Sequence, residues 1–128
     1  MSEGHSTQDQ QMLRVSRTEL EGATALLATG EVDLATGPRL RAELAALLER
    51  AEPKPVLVDL TEVTFLGSTG IAVLVDAHWQ AVQVGTPLKV VVSRDGPVEQ
   101  ALRTSGVEQH LSVQHDLRSA LDALAGDS

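Results

Sequence analysis

The amino-acid sequence predicts an α/β fold: a single domain with a mixed, mostly parallel β-sheet, an antiparallel hairpin at its start and about four helices. Three observations predict it. Short apolar or alternating runs suited to strands recur between segments of helical periodicity. Gly and Pro residues punctuate the boundaries between them. At 128 residues and 42% hydrophobic content, the chain is long enough to bury one core of ordinary depth. With one Phe, one Trp and no Tyr, Leu, Val and Ala must fill that core.

The elements follow in order. Residues 1–11 are polar and without period, which predicts a disordered tail ahead of a domain spanning 12–125, with a short C-terminal tail at 126–128. Leu13 to Arg17 alternates like a half-buried strand, and the turn signal Glu21-Gly22 pairs it with a second strand, Ala23 to Ala28. Gly30-Glu31-Val32-Asp33 reads as a loop entering a helix with Thr36 as N-cap and Pro38 in its first turn. Leu40, Leu44, Leu47 and Leu48 make one face of that helix, and Pro53 and Pro55 end it. Val56 to Leu60 is a continuous apolar run, as in a strand covered on both faces. A second helix, Ile71 to about Val82, is apolar almost all round and is expected to be largely buried. Leu88 to Val92 is a strand, Pro97 to Thr104 a helix stopped near Gly106, and Leu111 to Val113 a short strand. Leu117, Ala120, Leu121 and Leu124 line a last helix.

Bulk properties exclude several classes of function. A net charge of −8 with ten scattered Lys and Arg argues against a nucleic-acid partner. No apolar run approaches the ~20 residues of a membrane span, and the amino-terminal residues lack the basic and apolar regions of a signal peptide. With no Cys, thiolate chemistry and disulfides are excluded, so a cytoplasmic location is expected. The four histidines show no metal-binding spacing and read as lone surface residues, so no metal is expected. Trp79, beside His78, reads as closing an edge of the core in preference to marking an exposed contact patch.

One turn stands out, Gly67-Ser68-Thr69-Gly70, at the junction where a buried strand passes into a helix. Functional groups collect at such junctions in parallel sheets. Ser68 lies where an N-cap would lie. The plain reading is a structural cap; the functional one is a phosphorylatable serine, because a phosphate there would meet unsatisfied helix N–H groups and the positive end of the dipole. The two glycines are read as allowing positive φ or a close approach.

The run Val58-Asp59-Leu60-Thr61-Glu62-Val63-Thr64-Phe65-Leu66-Gly67-Ser68-Thr69-Gly70-Ile71 resembles the signature of STAS domains, specifically the bacterial anti-sigma factor antagonists. Gly30 to Asp33 with Thr36 and Pro38 is similar to the family's second hallmark, and Pro97 to Leu121 follows its spacing. The resemblance implies a protein that, unphosphorylated, binds an anti-sigma factor of the histidine-kinase-like ATPase fold and so releases a sigma factor. It implies that this anti-sigma factor, a serine kinase, inactivates the antagonist by phosphorylating Ser68, and that a phosphatase reverses the mark. Partner-binding positions carried over are Asp33, Thr36, Gly67, Ser68, Thr69 and Gly70. The chain is then no enzyme and holds no cofactor; ATP and magnesium belong to the kinase. It acts as a monomer or weak dimer. Many members carry Asp where Gly67 stands, a departure that bears on how the kinase recognises the turn.

Other readings fit less well. An accessory STAS subunit of a transport or stress-signalling complex is the main alternative. A receiver domain with Asp59 as phosphoacceptor lacks the acidic pair after the first strand and the late Lys, so Asp59 reads as a structural strand-end carboxylate. Leu66 stands where a hydrolase elbow needs Gly, and Ile71-Ala72 where a phosphate-binding loop needs Lys and Ser or Thr.

Overall fold

The computed structural model describes residues 12–50, 52 and 54–127. The tail expected over 1–11, the helix-ending role of Pro53 and the terminal Ser128 lie outside them. The described elements are β1 (Leu13–Leu20), β2 (Ala23–Val32), α1 (Gly37–Leu48), β3 (Val56–Leu66), α2 (Ser68–Val84), β4 (Leu88–Val91), α3 (Pro97–Ser105), a 3-10 turn (Val107–His110), β5 (Val113–Gln114) and α4 (Leu117–Asp127). The last helix runs through Gly126 and Asp127, which the sequence reading places in a tail.

The strands lie in the order β1-β2-β3-β4-β5, with β1 antiparallel to β2 and every later pair parallel. The expected fold class holds. Each parallel crossover steps one strand in the same direction, and right-handed connections therefore put α1, α2 and α3 on one face of the sheet. Leu40, Leu44 and Leu47 of α1, Val73 and Leu74 of α2 and Leu102 of α3 meet Leu26, Val58 and Val90 there. Their alternating neighbours Ala25, Leu57 and Val91 face the other way, against Ala120 of α4. That second face is only partly covered, which suits the exposed Arg14, Ser16 and Thr18 of β1.

Among the boundaries that differ from the sequence reading are three in the later strands. β2 continues through Gly30 to Val32 rather than looping out, because it pairs with a longer β3. β3 itself runs on to Leu66 through two register shifts, between Leu27 and Thr29 and between Gly30 and Glu31 on its partner. Bulges break the period-two pattern from which a strand is read. Asp59 sits beside the first of them, within the strand rather than at its end, and its Oδ1 accepts from Thr61 N at 3.0 Å and Thr61 Oγ1 at 2.7 Å. The third difference is β5, which begins at Val113 rather than Leu111.

Helix α2 is not largely buried. Gly70, Val73, Leu74, Ala77 and Ala81 form one buried stripe, whereas Trp79, Val82 and Val84 are exposed. Trp79, at 54% exposure, packs edge-on to the His78 ring and closes no core edge. Both aromatic residues thus lie outside the core, and packing rests on Leu, Val and Ala.

Leu74 is fully enclosed between α2 and the sheet. Truncation to Ala should cost ~2–5 kcal/mol in urea unfolding followed by circular dichroism. Val82→Ala, on the exposed side of the same helix, should change stability by no more than ~0.5 kcal/mol.

Candidate functional site

The site forms where the carboxyl ends of β2 and β3 lie side by side. Val32 pairs with Leu66, and Gly67 N donates to Val32 O at 2.9 Å, so the loop after β2 and the turn after β3 leave the sheet together. A Cβ on Gly37 would lie 2.6 Å from Thr69 Cγ2, which places the start of α1 in contact with the start of α2. Asp33, Thr36, Gly67, Ser68, Thr69 and Gly70 are therefore on one rim of the molecule.

The turn differs in detail from its sequence reading. Gly67, not Ser68, is the N-cap of α2, and it supplies no side-chain bond. Ser68 is the first helical residue and is exposed. Among the described residues its hydroxyl takes part in no hydrogen bond. Ile71 N already donates to Gly67 O at 3.0 Å. The N–H groups of Ser68, Thr69 and Gly70 have no helical carbonyl to meet, as in any first turn. The glycines serve close approach, not positive φ. Gly67 has φ −86°, and neither it nor Gly70 is left-handed. A Cβ on Gly70 would come within 2.5 Å of Leu66 Cδ1 and 2.8 Å of Val32 Cγ1. At Gly67 it would touch the Phe65 ring at 3.1 Å.

Across the rim, Asp33 and Thr36 bond to each other reciprocally in the turn ahead of α1, in the pattern of a capping box. Asp33 Oδ1 accepts from Ala35 N at 2.9 Å and Thr36 N at 3.0 Å, while Asp33 N donates to Thr36 Oγ1 at 2.9 Å. The Thr36 hydroxyl also lies 2.8 Å from Glu31 O and 3.1 Å from Asp33 Oδ1. Gly37 N then donates to Asp33 O at 2.8 Å. Thr36 holds the cap position in the backbone and no side chain caps α1; the Asp33 carboxylate instead closes the turn that leads into it. The hydrogen bond from Thr36 N, aided by those from its hydroxyl and from Ala35 N, holds the Asp33 carboxyl below the usual carboxylate range, against a smaller opposing effect of burial.

Two exposed apolar side chains that the sequence reading did not single out flank this rim: Leu34 at 82% and Phe65 at 51% exposure. The bulged register turns Phe65 to the open face. A second polar cluster was also missed. Glu99 is 4% exposed and accepts from Asp95 N at 2.7 Å, with His115 Nε2 at 2.5 Å and Arg103 Nη2 at 3.1 Å. The i, i+4 spacing of Glu99 and Arg103 on α3 was its signal. His115 is thus not a lone surface histidine. Among the described residues no group of three or more His, Asp and Glu is placed to hold a metal ion, and no helix is long and apolar enough to cross a membrane.

A family model for the STAS domain matches residues 14–120. The chain belongs to the STAS domain family. No curated protein matches its sequence. Among solved structures, an anti-sigma factor antagonist from Mycobacterium paratuberculosis is similar at TM-score 0.78 and 24% identity, over 87% of this chain and 92% of that one. The anti-sigma factor antagonist SpoIIAA in its unphosphorylated form is similar at TM-score 0.71 and 14% identity, over 88% and 97% of the two chains. In its phosphorylated form, from Bacillus, SpoIIAA matches at TM-score 0.64 and 12% identity, over 87% and 99%. The murine anion transporter Slc26a9 contains a similar region, at TM-score 0.75 and 16% identity, over 97% of this chain and 24% of the transporter. At these identities the likeness is one of fold.

Two outcomes test the STAS site's construction. Gly70→Ala should destabilise the domain by ~1–3 kcal/mol, because its methyl would force the buried Leu66 and Val32 side chains to shift. Asp33 has a lowered folded pKa, so its stabilising contribution is complete above the ordinary carboxylate range and is lost as pH falls through the lowered value. The stability gap between the wild type and Asp33→Asn, from denaturant titrations, should narrow between about pH 6 and about pH 3.

Proposed function

We propose that the chain is an anti-sigma factor antagonist that binds an anti-sigma factor with serine kinase activity, frees a sigma factor, and is switched off by phosphorylation at Ser68. The observation that carries this reading is the exposed Ser68 hydroxyl, free of internal hydrogen bonds among the described residues, at the first position of α2. The fold likeness to antagonists, one of them in both phosphorylated and unphosphorylated forms, supports it.

The physical logic is a change of surface without a change of fold. A phosphate on Ser68 adds close to two negative charges beside the free N–H groups of the first turn. The dipole favours it by a few tenths to about 1 kcal/mol, so the domain stays folded. A partner seated on the rim formed by Asp33, Thr36 and residues 67–70 would meet new charge and bulk at the centre of its contact. Gly67 leaves no carboxylate directly ahead of the serine, so the phosphoryl group meets no like charge from that position. In this reading the chain is substrate and ligand rather than catalyst. ATP and magnesium are the kinase's, and a phosphatase restores the active form in the cytoplasm.

A second reading, an accessory domain of a transport or stress-signalling complex, rests on the likeness to the Slc26a9 region. The same experiment separates the two. The purified chain is incubated with magnesium, ATP and each anti-sigma serine kinase of its host, and phosphopeptides are sequenced by mass spectrometry. One kinase should place a single phosphate on Ser68. Ser68→Ala should bind that kinase as the wild type does and take up no phosphate, and Ser68→Glu should bind at least ~10-fold more weakly. Phosphate on Thr69, or on no residue with any kinase, sinks the reading.

A further inference from the structure

Beyond the Ser68 rim, the carboxyl-terminal part of the domain is fastened differently from the rest. β5 contributes two residues to the sheet, paired as Val90 with Val113 and Val91 with Gln114. Val113, half-buried, is its foothold in the main core. In α4 only Ala120 is fully buried among the described residues; Leu117, Leu121 and Leu124 are half-buried. They rest on Ala23, Ala25, Leu57 and Val91, an apolar patch on the face opposite α1, α2 and α3. Asp116 Oδ1 caps α4 by accepting from Ser119 N at 2.7 Å, so the helix's own start depends on nothing in the body. Besides the backbone bonds of the β4–β5 ladder, a side-chain tie to the body runs between His115 and Glu99. Glu99 is held almost fully enclosed at the first turn of α3, where Asp95 N and Arg103 Nη2 also reach it.

We propose that β5 and α4 form a C-terminal strap that opens from the sheet as a cooperative unit of its own, with the Glu99–His115 contact as its latch. Segments with few fully buried side chains and a short ladder open more cheaply than the core they rest on. The latch sets how cheaply. Opening removes one donor from an enclosed carboxylate, which retains Asp95 N and Arg103, and uncovers Ala23, Ala25, Leu57 and Val91. This apolar patch is on the other side of the sheet from α1 and α2, so what it meets when open is independent of a partner on the Ser68 rim.

Amide hydrogen exchange of the full chain, followed by mass spectrometry, tests this. In the wild type, peptides from 113–127 should exchange at least ~10-fold faster than the amides of 56–60 in β3. His115→Ala should accelerate 113–127 by about a further tenfold, the scale of one hydrogen bond to a charged group, and leave 56–60 within about twofold of wild type. His115→Gln, which retains an N–H donor at a similar reach, should restore the wild-type rates. Equal protection of 113–127 and 56–60 in the wild type would overturn the proposal. So would an equal acceleration of both by His115→Ala, or no acceleration of either.

Discussion

The bond from Gly67 N to Val32 O is the last rung between two parallel strands, and the site's geometry depends on it. It brings the ends of β2 and β3 level, so that both loops begin from the same height above the sheet. Once they do, α1 and α2 must start side by side, and the room between them is set by Gly37 against Thr69 and by Gly70 against Leu66 and Val32. Side chains at these glycines would push the helix starts apart. The polar groups on the rim then have little freedom: Asp33 is tied into its own turn, and Ser68 is left pointing out.

Handedness divides the rest of the domain unequally. Three successive crossovers in one direction put three helices on one face, which receives the main core. Among the described residues the opposite face is covered by α4, on Ala23, Ala25, Leu57 and Val91, and the β1 side of that face is polar and open. This division explains why a chain with almost no aromatic residues can still be well packed. The Leu and Val side chains concentrate on the crowded face, where the large fully buried residues Leu26, Leu40, Leu44, Leu47 and Leu74 meet. On the thin face, Ala23 and Ala25 let a helix approach closely while contributing little apolar area.

Most of the architecture was legible because helix and strand periods are strong where an element has one buried face. The α1 leucines and the Val56–Leu60 run have that property. What was illegible involved departures from period. Bulges in β3 moved Phe65 to the open face and lengthened both β2 and β3 beyond their regular runs. The long apolar stretch of α2 looked buried because residue type alone does not tell a stripe from a girdle, and Trp79 was misplaced for the same reason. At the site, Ser68 was singled out from its position at a strand-to-helix junction, and Asp33 from the resemblance of the loop before α1. Their detailed roles were not legible, since whether Gly67 or Ser68 caps α2, and whether the side chain at the start of α1 bonds the helix or only the turn before it, turns on one residue of backbone geometry. The Glu99–His115 contact joins residues sixteen apart in sequence, across the turn that follows α3, and no local pattern announces such a pair.

The exposed indole of Trp79 has a spectroscopic consequence. As the sole tryptophan, and with no tyrosine present, it is the source of nearly all the intrinsic fluorescence. It already sits largely in water in the native state, so unfolding should move its emission maximum little, and fluorescence will be a poor gauge of the core. It stands eleven residues along α2 from Ser68, roughly 16 Å by the helical rise. Its emission is instead suited to reporting what settles on the far end of that helix, a part of the surface that the core's own signals would never reveal.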